Sequence, residues 1–217
     1  MSMASSKEPV ILKDSSMNIQ KDEVGVGPHP LPWPEDDKYD KALLAEGDRR
    51  NVLDQYRYWS VEAIKEELAS RSGSMHVAIE NWQHDMNIGT IVRNANAFNA
   101  EAVPIIGKRH WNRRGAMATE KYLSVYHHET INDFIEAVRG RSVIAIDNIA
   151  GSVPLASTQL PKDVVFVFGG EGPGLSQEMV AMSEKMIAIE QFGSTRSVNV
   201  GVASGIIMYT WARQYML

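Results

Sequence analysis

Three short segments combine glycines with polar side chains in patterns that suit ligand binding. In the first, Asn87, Gly89 and Arg93 stand at a predicted loop-to-helix start, and the spacing of four places Gly89 and Arg93 on one helical face. A glycine there lets another group approach the backbone while the arginine projects from the same side. The segment predicts a ligand contact, and a capped surface helix with a solvated arginine is the alternative.

The second segment is a glycine-rich turn that follows the apolar run Val164–Phe168. It differs from the GxGxxG dinucleotide pattern because Leu175 occupies the last required position, and no phosphate-loop lysine follows. The carboxylate of Glu171 would repel a pyrophosphate, so a neutral or cationic ligand is expected here. A tight strand–helix connection is the alternative. The glycines of the turn are Gly169, Gly170, Gly172 and Gly174.

The third segment is a polar run, Ser194–Asn199, that separates two apolar stretches just before a predicted helix. Buried polar groups need hydrogen-bond partners, and Ser197 or Asn199 would satisfy this need by capping the helix. The same side chains and the free backbone N–H groups would equally serve a ligand loop.

A basic segment follows the first of these. Residues 107–121 carry a net charge of +4 within a chain whose net charge is −5 and whose pI is near 5.7. Arginines for phosphates and an aromatic ring for an unstacked base are typical of single-stranded RNA recognition. A solvated loop with a half-buried tryptophan is the alternative. The candidate RNA-binding residues are Lys108, Arg109, Trp111, Arg113, Arg114 and, in the third segment, Arg196.

The elements that must position these segments alternate between strand and helix from Met75 onward. This alternation predicts an α/β fold with a mostly parallel sheet flanked by helices. The predicted strands are 76–80, 102–106, 142–147, 164–168 and 186–189, with a further one at His127 and His128; the predicted helices are 54–70, 87–98, 131–138, 176–184 and 199–215. Adjacent strand histidines point to opposite faces, so His127 and His128 are not expected to share a metal ion.

The chain divides into three predicted parts: a flexible, proline-rich, acidic extension over 1–48, a helical segment over 49–74 and the α/β domain over 75–217. With 44% hydrophobic and 23% charged residues, the chain is neither mainly disordered nor collagen-like. The absence of cysteine excludes a disulfide scaffold, a thiolate metal site and a cysteine nucleophile. No signal peptide or membrane helix is expected, which favours the cytoplasm.

Taken together, the three segments resemble the signature motifs of the SpoU family of RNA ribose methyltransferases, in the SPOUT superfamily. The resemblance covers about residues 75–217. The family pattern N-x-G-x-x-x-R is matched by Asn87, Gly89 and Arg93, the pattern G-x-E-x-x-G-L by Gly169, Glu171, Gly174 and Leu175, and the pattern I-P-M-x-G-x-x-x-S-L-N-V-S by Ile189, Gly193, Ser197, Asn199 and Val200. Glu190, Gln191, Val198 and Gly201 depart from the third pattern.

The resemblance implies a fold with a C-terminal trefoil knot, a homodimer, no metal, and methyl transfer from S-adenosylmethionine to a ribose 2′-hydroxyl. It implies cofactor contacts at Gly169, Gly170, Gly174, Ile189, Val198 and Asn199. The family assigns deprotonation of the hydroxyl to the arginine matched by Arg93, whereas a guanidinium that stays protonated would instead clamp the neighbouring phosphate. Asn87, Glu171, Ser197 and Asn199 would hold Arg93, the ribose and the loops in place.

A tRNA substrate is expected on this basis, with 23S rRNA as the next candidate. A non-catalytic RNA-binding module of the same fold is a third possibility, although Arg93, Glu171, Ser197 and Asn199 are all present. A nucleotide-binding α/β protein of another kind would need the phosphate-binding signatures that are missing here.

Overall fold

A computed structural model describes residues 25–83, 87–170 and 174–217. The seven strands are β1 (Met75–Asn81), β2 (Val103–Gly107), β3 (Val125–His128), β4 (Ser142–Ile146), β5 (Val153–Pro154), β6 (Val164–Phe168) and β7 (Lys185–Ala188). They form one sheet in the order β3-β2-β1-β6-β4-β7-β5, and each neighbouring pair is parallel. The α/β prediction is confirmed.

Within the described residues, six α-helices accompany the sheet: α1 (Lys41–Glu46), α2 (Val61–Ser70), α3 (Ile88–Ala97), α4 (Ile131–Ala137), α5 (Gln177–Met182) and α6 (Val200–Tyr215). Side chains alternate between the two faces along β6. Val164, Phe166 and Phe168 pack in one core with α3 and α6, whereas Val165 and Val167 pack in a second core with α4 and α5. The central strand is therefore apolar throughout because both of its faces are covered.

The three segments with candidate site residues all meet the sheet at its carboxyl edge. The first follows β1 and opens α3, the second follows β6 and precedes α5, and the third joins β7 to α6. In a parallel sheet, ligands bind at this edge, because the loops that follow the strands converge there.

The described part of the predicted N-terminal extension contains regular structure and pairs with residue 48 at its predicted boundary. Residues 41–46 form α1, and Val26 pairs with Asp48 in an antiparallel bridge. The Asp48 side chain is fully buried and accepts hydrogen bonds from the Arg50 guanidinium and the Tyr58 backbone N–H. Composition favoured an extended tail, but this buried ion pair fixes the segment against the residues that follow it. Residues 1–24 of that predicted tail lie outside the described part of the chain.

The single helix predicted over 54–70 is two elements. A 3₁₀ turn, Asp54–Tyr56, precedes α2, which starts at Val61 with its N-cap at Ser60. Tyr58 separates them with φ of 63°, a left-handed conformation that a helix does not tolerate. Its backbone N–H and its hydroxyl bond to Asp48 and Gly27, so tertiary contacts override the helical periodicity. Elsewhere most boundaries differ from the predicted ones by one or two residues.

Candidate active site

A cavity of about 370 Å³ opens at the carboxyl ends of β4, β6 and β7. Its volume lies in the range of small-molecule sites, about 300–1,000 Å³. All six predicted cofactor contacts line it, and they come from two separate segments of the sequence. These are Gly169, Gly170, Gly174, Ile189, Val198 and Asn199, and Ser197 lines it as well.

The glycine-rich turn forms one wall of the cavity. The Gly174 N–H donates to the Gly170 carbonyl at 3.0 Å, which folds the turn back on itself. A Cβ on Gly169 would lie 2.2 Å from the carbonyl carbon of Gly174, and Gly174 itself has φ of +68°. Both positions therefore require glycine for the turn to close. The predicted catalytic residue Glu171 lies in 171–173, outside the described residues.

The third segment is joined to the first by side-chain amides. Asn199 caps α6 through its Oδ1, which accepts from the backbone N–H groups of Gly201 and Val202. Its Nδ2 donates to Oδ1 of Asn87 at 3.0 Å, across 112 positions of sequence. Asn94 adds a second link, because its Nδ2 donates to the Gly201 carbonyl at 2.8 Å. Helix capping and a position in a ligand loop were alternatives in the sequence analysis. Asn199 does both, because it caps α6 and also lines the cavity.

Arg93 is exposed on α3 and does not line the cavity. It forms no ion pair with a side chain in the described residues. The glycine before it, Gly89, serves packing: a Cβ there would lie 2.8–2.9 Å from the backbone of Gly115 and Ala116. The start of α3 thus lies directly against Gly115 and Ala116 of the basic segment.

The charged side chains of the basic segment are exposed, whereas its tryptophan packs against the protein. Lys108, Arg109, Arg113 and Arg114 are all exposed. Trp111 is half-buried against the core beside α3 and α6, and the Arg113 guanidinium lies 5.6 Å from its ring centre. That placement favours the alternative of a half-buried tryptophan over a ring free to stack on a base. Arg196 is exposed beside the cavity, and its carbonyl accepts from Asn148 Nδ2 at 2.9 Å.

Sequence reasoning did not assign three polar residues of the cavity to the site. Asp147 follows β4, and its Oδ2 lies 3.4 Å from the Leu175 N–H, so a carboxylate stands beside the glycine turn. Asn148 follows it, and Gln191 lines the same cavity. The Gln191 Oε1 atom is buried and has no hydrogen-bond partner among the described residues. The position of Asp147 at a strand's carboxyl end was a usable signal, but the order of β4 beside β6 was not available from sequence.

The two adjacent histidines point apart as predicted. His127 Nε2 lies 2.7 Å from the Gly107 carbonyl, whereas the His128 ring contacts Phe134. Burial lowers the pKa of His128, and the nearby Asp133 opposes this shift. Within the described residues, no three histidine or carboxylate side chains come together as metal ligands, and no helix is long and apolar enough to cross a bilayer.

A second cavity of about 300 Å³ lies at the opposite, amino edge of the sheet. His76, Glu101, Tyr122 and Ser124 are among its lining residues, and none belongs to the three segments. Burial and the neighbouring Arg141 lower the pKa of His76, while Glu101 acts in the opposite direction.

Comparison with known proteins agrees with this geometry. The model of the SpoU rRNA Methylase family matches residues 74–209, which is more than half of the chain. The chain belongs to this family. The match includes all three segments, the basic segment and most of α6, and it leaves residues 1–73 outside.

Two curated relatives of this chain share one enzyme name. The tRNA (guanosine(18)-2′-O)-methyltransferase of Escherichia coli strain K12 is 28% identical over 156 residues, which are 70% of this chain and 68% of the relative. The enzyme so named from Aquifex aeolicus is 28% identical over 167 residues, covering 71% of this chain and 76% of the relative.

Two solved structures show the same fold. The A. aeolicus TrmH/SpoU tRNA modifying enzyme superimposes with a TM-score of 0.63 at 27% identity, covering 72% of this chain and 82% of that one. The AdoMet-bound rRNA methyltransferase from Sinorhizobium meliloti superimposes with a TM-score of 0.59 at 26% identity. The superposition covers 68% of this chain and 60% of that one. The trefoil knot stays a prediction, because sheet order does not define how the C-terminal segment threads.

Proposed function

We propose that this chain is an S-adenosylmethionine-dependent RNA methyltransferase that methylates a ribose 2′-hydroxyl of tRNA. The observation that carries the proposal is the single cavity lined by all six predicted cofactor contacts. The named activities of the E. coli and A. aeolicus relatives support tRNA as the substrate. The S. meliloti structure, an rRNA methyltransferase, supports rRNA as the second candidate.

The residues of the cavity fit S-adenosylmethionine. The glycine turn exposes backbone along one wall, the Asp147 carboxylate provides a negative charge for a cationic ligand, and the unpaired Gln191 Oε1 offers an acceptor to a ligand donor. When bound, the cofactor supplies an activated methyl group. The turn and the third segment would hold it and exclude water on that side.

The chemistry then needs only alignment and removal of one proton. The ribose 2′-oxygen would form a bond to the methyl carbon as the carbon–sulfur bond breaks and S-adenosylhomocysteine leaves, and the hydroxyl proton would pass to the phosphate beside the ribose. Holding the reacting atoms about 3 Å apart supplies much of the rate enhancement in such a transfer. Asn87, Ser197 and Asn199 would position the loops around the ribose, and Glu171 is proposed to assist from the turn.

Arg93 is proposed to contact the phosphate beside the target ribose and thereby favour loss of the proton. A guanidinium is already protonated and has only donors, so it is suited to binding a phosphate through paired hydrogen bonds and not to proton abstraction. Its exposure on α3, away from the cavity, fits a residue that reaches substrate rather than cofactor.

A homodimer is part of this proposal, because Arg93 and the cavity lie apart in one chain. Exposed apolar side chains follow one stripe of α6 at spacings of four and three residues, and α6 packs against α3, which carries Arg93. A second copy on this stripe would bury it and bring an arginine toward the neighbouring cavity. The stripe consists of Val202, Ile206 and Tyr209. The proposed compartment is the cytoplasm, where the RNA substrate is found.

The test is transfer of labelled methyl groups to unmodified tRNA and, separately, to unmodified rRNA. Arg93→Ala is expected to lose at least about 100-fold in transfer while S-adenosylhomocysteine binding stays within about twofold. Arg139→Ala is the control, since Arg139 is an exposed arginine that pairs with Glu136 on α4. Label in rRNA alone would move the substrate to the ribosome. Cofactor binding without transfer to either RNA would contradict the proposed activity, and unchanged transfer by Arg93→Ala would contradict the role of Arg93.

A further inference from the structure

Trp82 is a surface indole that the proposed mechanism does not use. It follows β1 directly and is 39% exposed. Its other side packs on Gly107, where a Cβ would lie 2.6 Å from the ring. Gly107 has φ of +97° at the end of β2, so both the space and the backbone there require glycine. One side of the ring is thus packed against the protein, and the other side is open to solvent.

The indole is also fixed by a buried carboxylate. Trp82 Nε1 donates to Oε1 of Glu80 at 3.0 Å, and Glu80 is fully buried. The same carboxylate accepts from the backbone N–H and the hydroxyl of Ser176, both at 2.7 Å. A charged acceptor makes stronger hydrogen bonds than a neutral one. Trp82 therefore presents its open side in one orientation, with little rotamer entropy left to lose on binding.

The start of the basic segment is held beside this ring. The Lys108 backbone N–H donates to the Asn81 carbonyl at 2.9 Å, and Asn81 Nδ2 donates to the carbonyls of Lys108 and His110. The side chains of Lys108 and Arg109 are exposed. A fixed aromatic ring next to two cations is the combination that binds unpaired bases and their phosphates.

We propose that the open side of Trp82 stacks on an unpaired base of the RNA substrate while Lys108 and Arg109 contact the flanking phosphates. The proposal rests on the proposed function and names a contact that the three motifs do not contain. It also moves the stacking role predicted for Trp111 to Trp82, because Trp111 packs against the core and lies beside the Arg113 guanidinium.

The test compares the affinity of Trp82→Ala and of the unsubstituted protein for two probes, unmodified tRNA and a short unstructured RNA oligonucleotide. Loss of one stacked base is expected to weaken binding between about fivefold and 150-fold. Trp82→Phe keeps a ring and is expected to retain most of the affinity. Trp33→Ala is the matched control, since Trp33 is 37% exposed and lies in the N-terminal region. S-adenosylhomocysteine binding reports whether each variant keeps the cavity intact.

Salt dependence separates stacking from charge. Trp82→Ala is expected to leave the slope of log K against log salt unchanged, whereas Lys108→Ala should reduce its magnitude by about 0.7. Unchanged RNA affinity of Trp82→Ala would overturn the proposal and leave the methyltransferase assignment standing. Loss of S-adenosylhomocysteine binding in both Trp82 variants would also overturn it, because Trp82 would then act through Glu80 and Ser176. If the unsubstituted protein binds the cofactor but neither RNA, the proposed function and this proposal fail together.

Discussion

Substitution of Gly169 by alanine tests whether the glycine turn shapes the proposed cofactor cavity. Gly169 is buried at the end of β6, and the turn folds back over it. An added Cβ would lie 2.2 Å from the Gly174 carbonyl carbon, 2.3 Å from its oxygen and 2.4 Å from the Leu175 nitrogen. All three are backbone atoms, so no side-chain rotation relieves the contact.

The expected magnitude follows from these distances. Ordinary van der Waals contact of a Cβ begins at 3.4 Å, so the facing backbone must retreat by about 1.2 Å. Overpacking of this kind typically costs about 1–3 kcal/mol of stability. The movement also breaks the hydrogen bond from Gly174 to Gly170 and displaces the cavity wall. Loss of one or two ligand hydrogen bonds, at about 1 kcal/mol each, weakens cofactor binding by about fivefold to thirtyfold.

The assay is calorimetric titration with S-adenosylhomocysteine, together with thermal unfolding. Gly193→Ala is the matched control, because a Cβ on Gly193, just before the third segment, meets no atom within 4 Å. We expect Gly169→Ala to weaken binding by at least about fivefold and Gly193→Ala to bind within about twofold. Equal affinities for all three proteins would refute the reasoning that the closed turn forms the wall of the site.

Three further substitutions test other parts of the structure. Asn199→Ala removes the cap of α6 and the bond to Asn87, and should lower the melting temperature by about 2–4 °C while weakening S-adenosylhomocysteine binding; an unchanged melting temperature would contradict the capping role. Gln191→Leu removes the buried unpaired oxygen, so the free protein should melt at a higher temperature while cofactor affinity falls several-fold; unchanged affinity in calorimetry would show that Gln191 does not contact the ligand. Burial would raise the pKa of Asp48, but the hydrogen bonds from Arg50 and Tyr58 outweigh it and lower the pKa from 3.8 to about 2. As the pH falls below about 4, the unfolded chain binds the proton first, so about 2 kcal/mol of stability is lost by pH 2. The difference in free energy of unfolding between the original protein and Asp48→Asn, measured in urea, should therefore become smaller over this pH range. A difference that does not change with pH would contradict the shifted pKa.

Much of the α/β domain could be predicted because its signals are local. The run Val164–Phe168 is apolar at every position, and this is the pattern of a strand covered on both faces. Asn199 caps the start of α6, and it is one of the two capping residues predicted there. The proposed cofactor residues were predicted by resemblance to a family, and the structure shows that two separate segments line one cavity.

The parts that sequence reasoning missed depend on contacts between distant residues. Asp48 is followed by charged residues and shows no local sign of burial, yet Arg50 and Tyr58 enclose its carboxylate. Asp147 becomes a cavity residue only because β4 lies beside β6 in the sheet. Trp82 is more exposed than Trp111 because its contacts with Glu80 and Gly107 hold it at the surface. Neither contact produces a periodic pattern in the sequence.

Strand direction also resolves how an acidic chain can bind RNA. Because β1, β2 and β6 are parallel, their carboxyl ends bring Trp82, the start of the basic segment and the glycine turn to one edge. Residues 107–121 have a net charge of +4, so the rest of the chain has a larger negative charge than the overall −5. Phosphates are attracted at this edge and repelled by the rest of the surface, and salt screens both effects beyond about 10 Å. The charge distribution that weakens RNA binding in other orientations therefore favours the orientation that brings RNA to the proposed cofactor cavity.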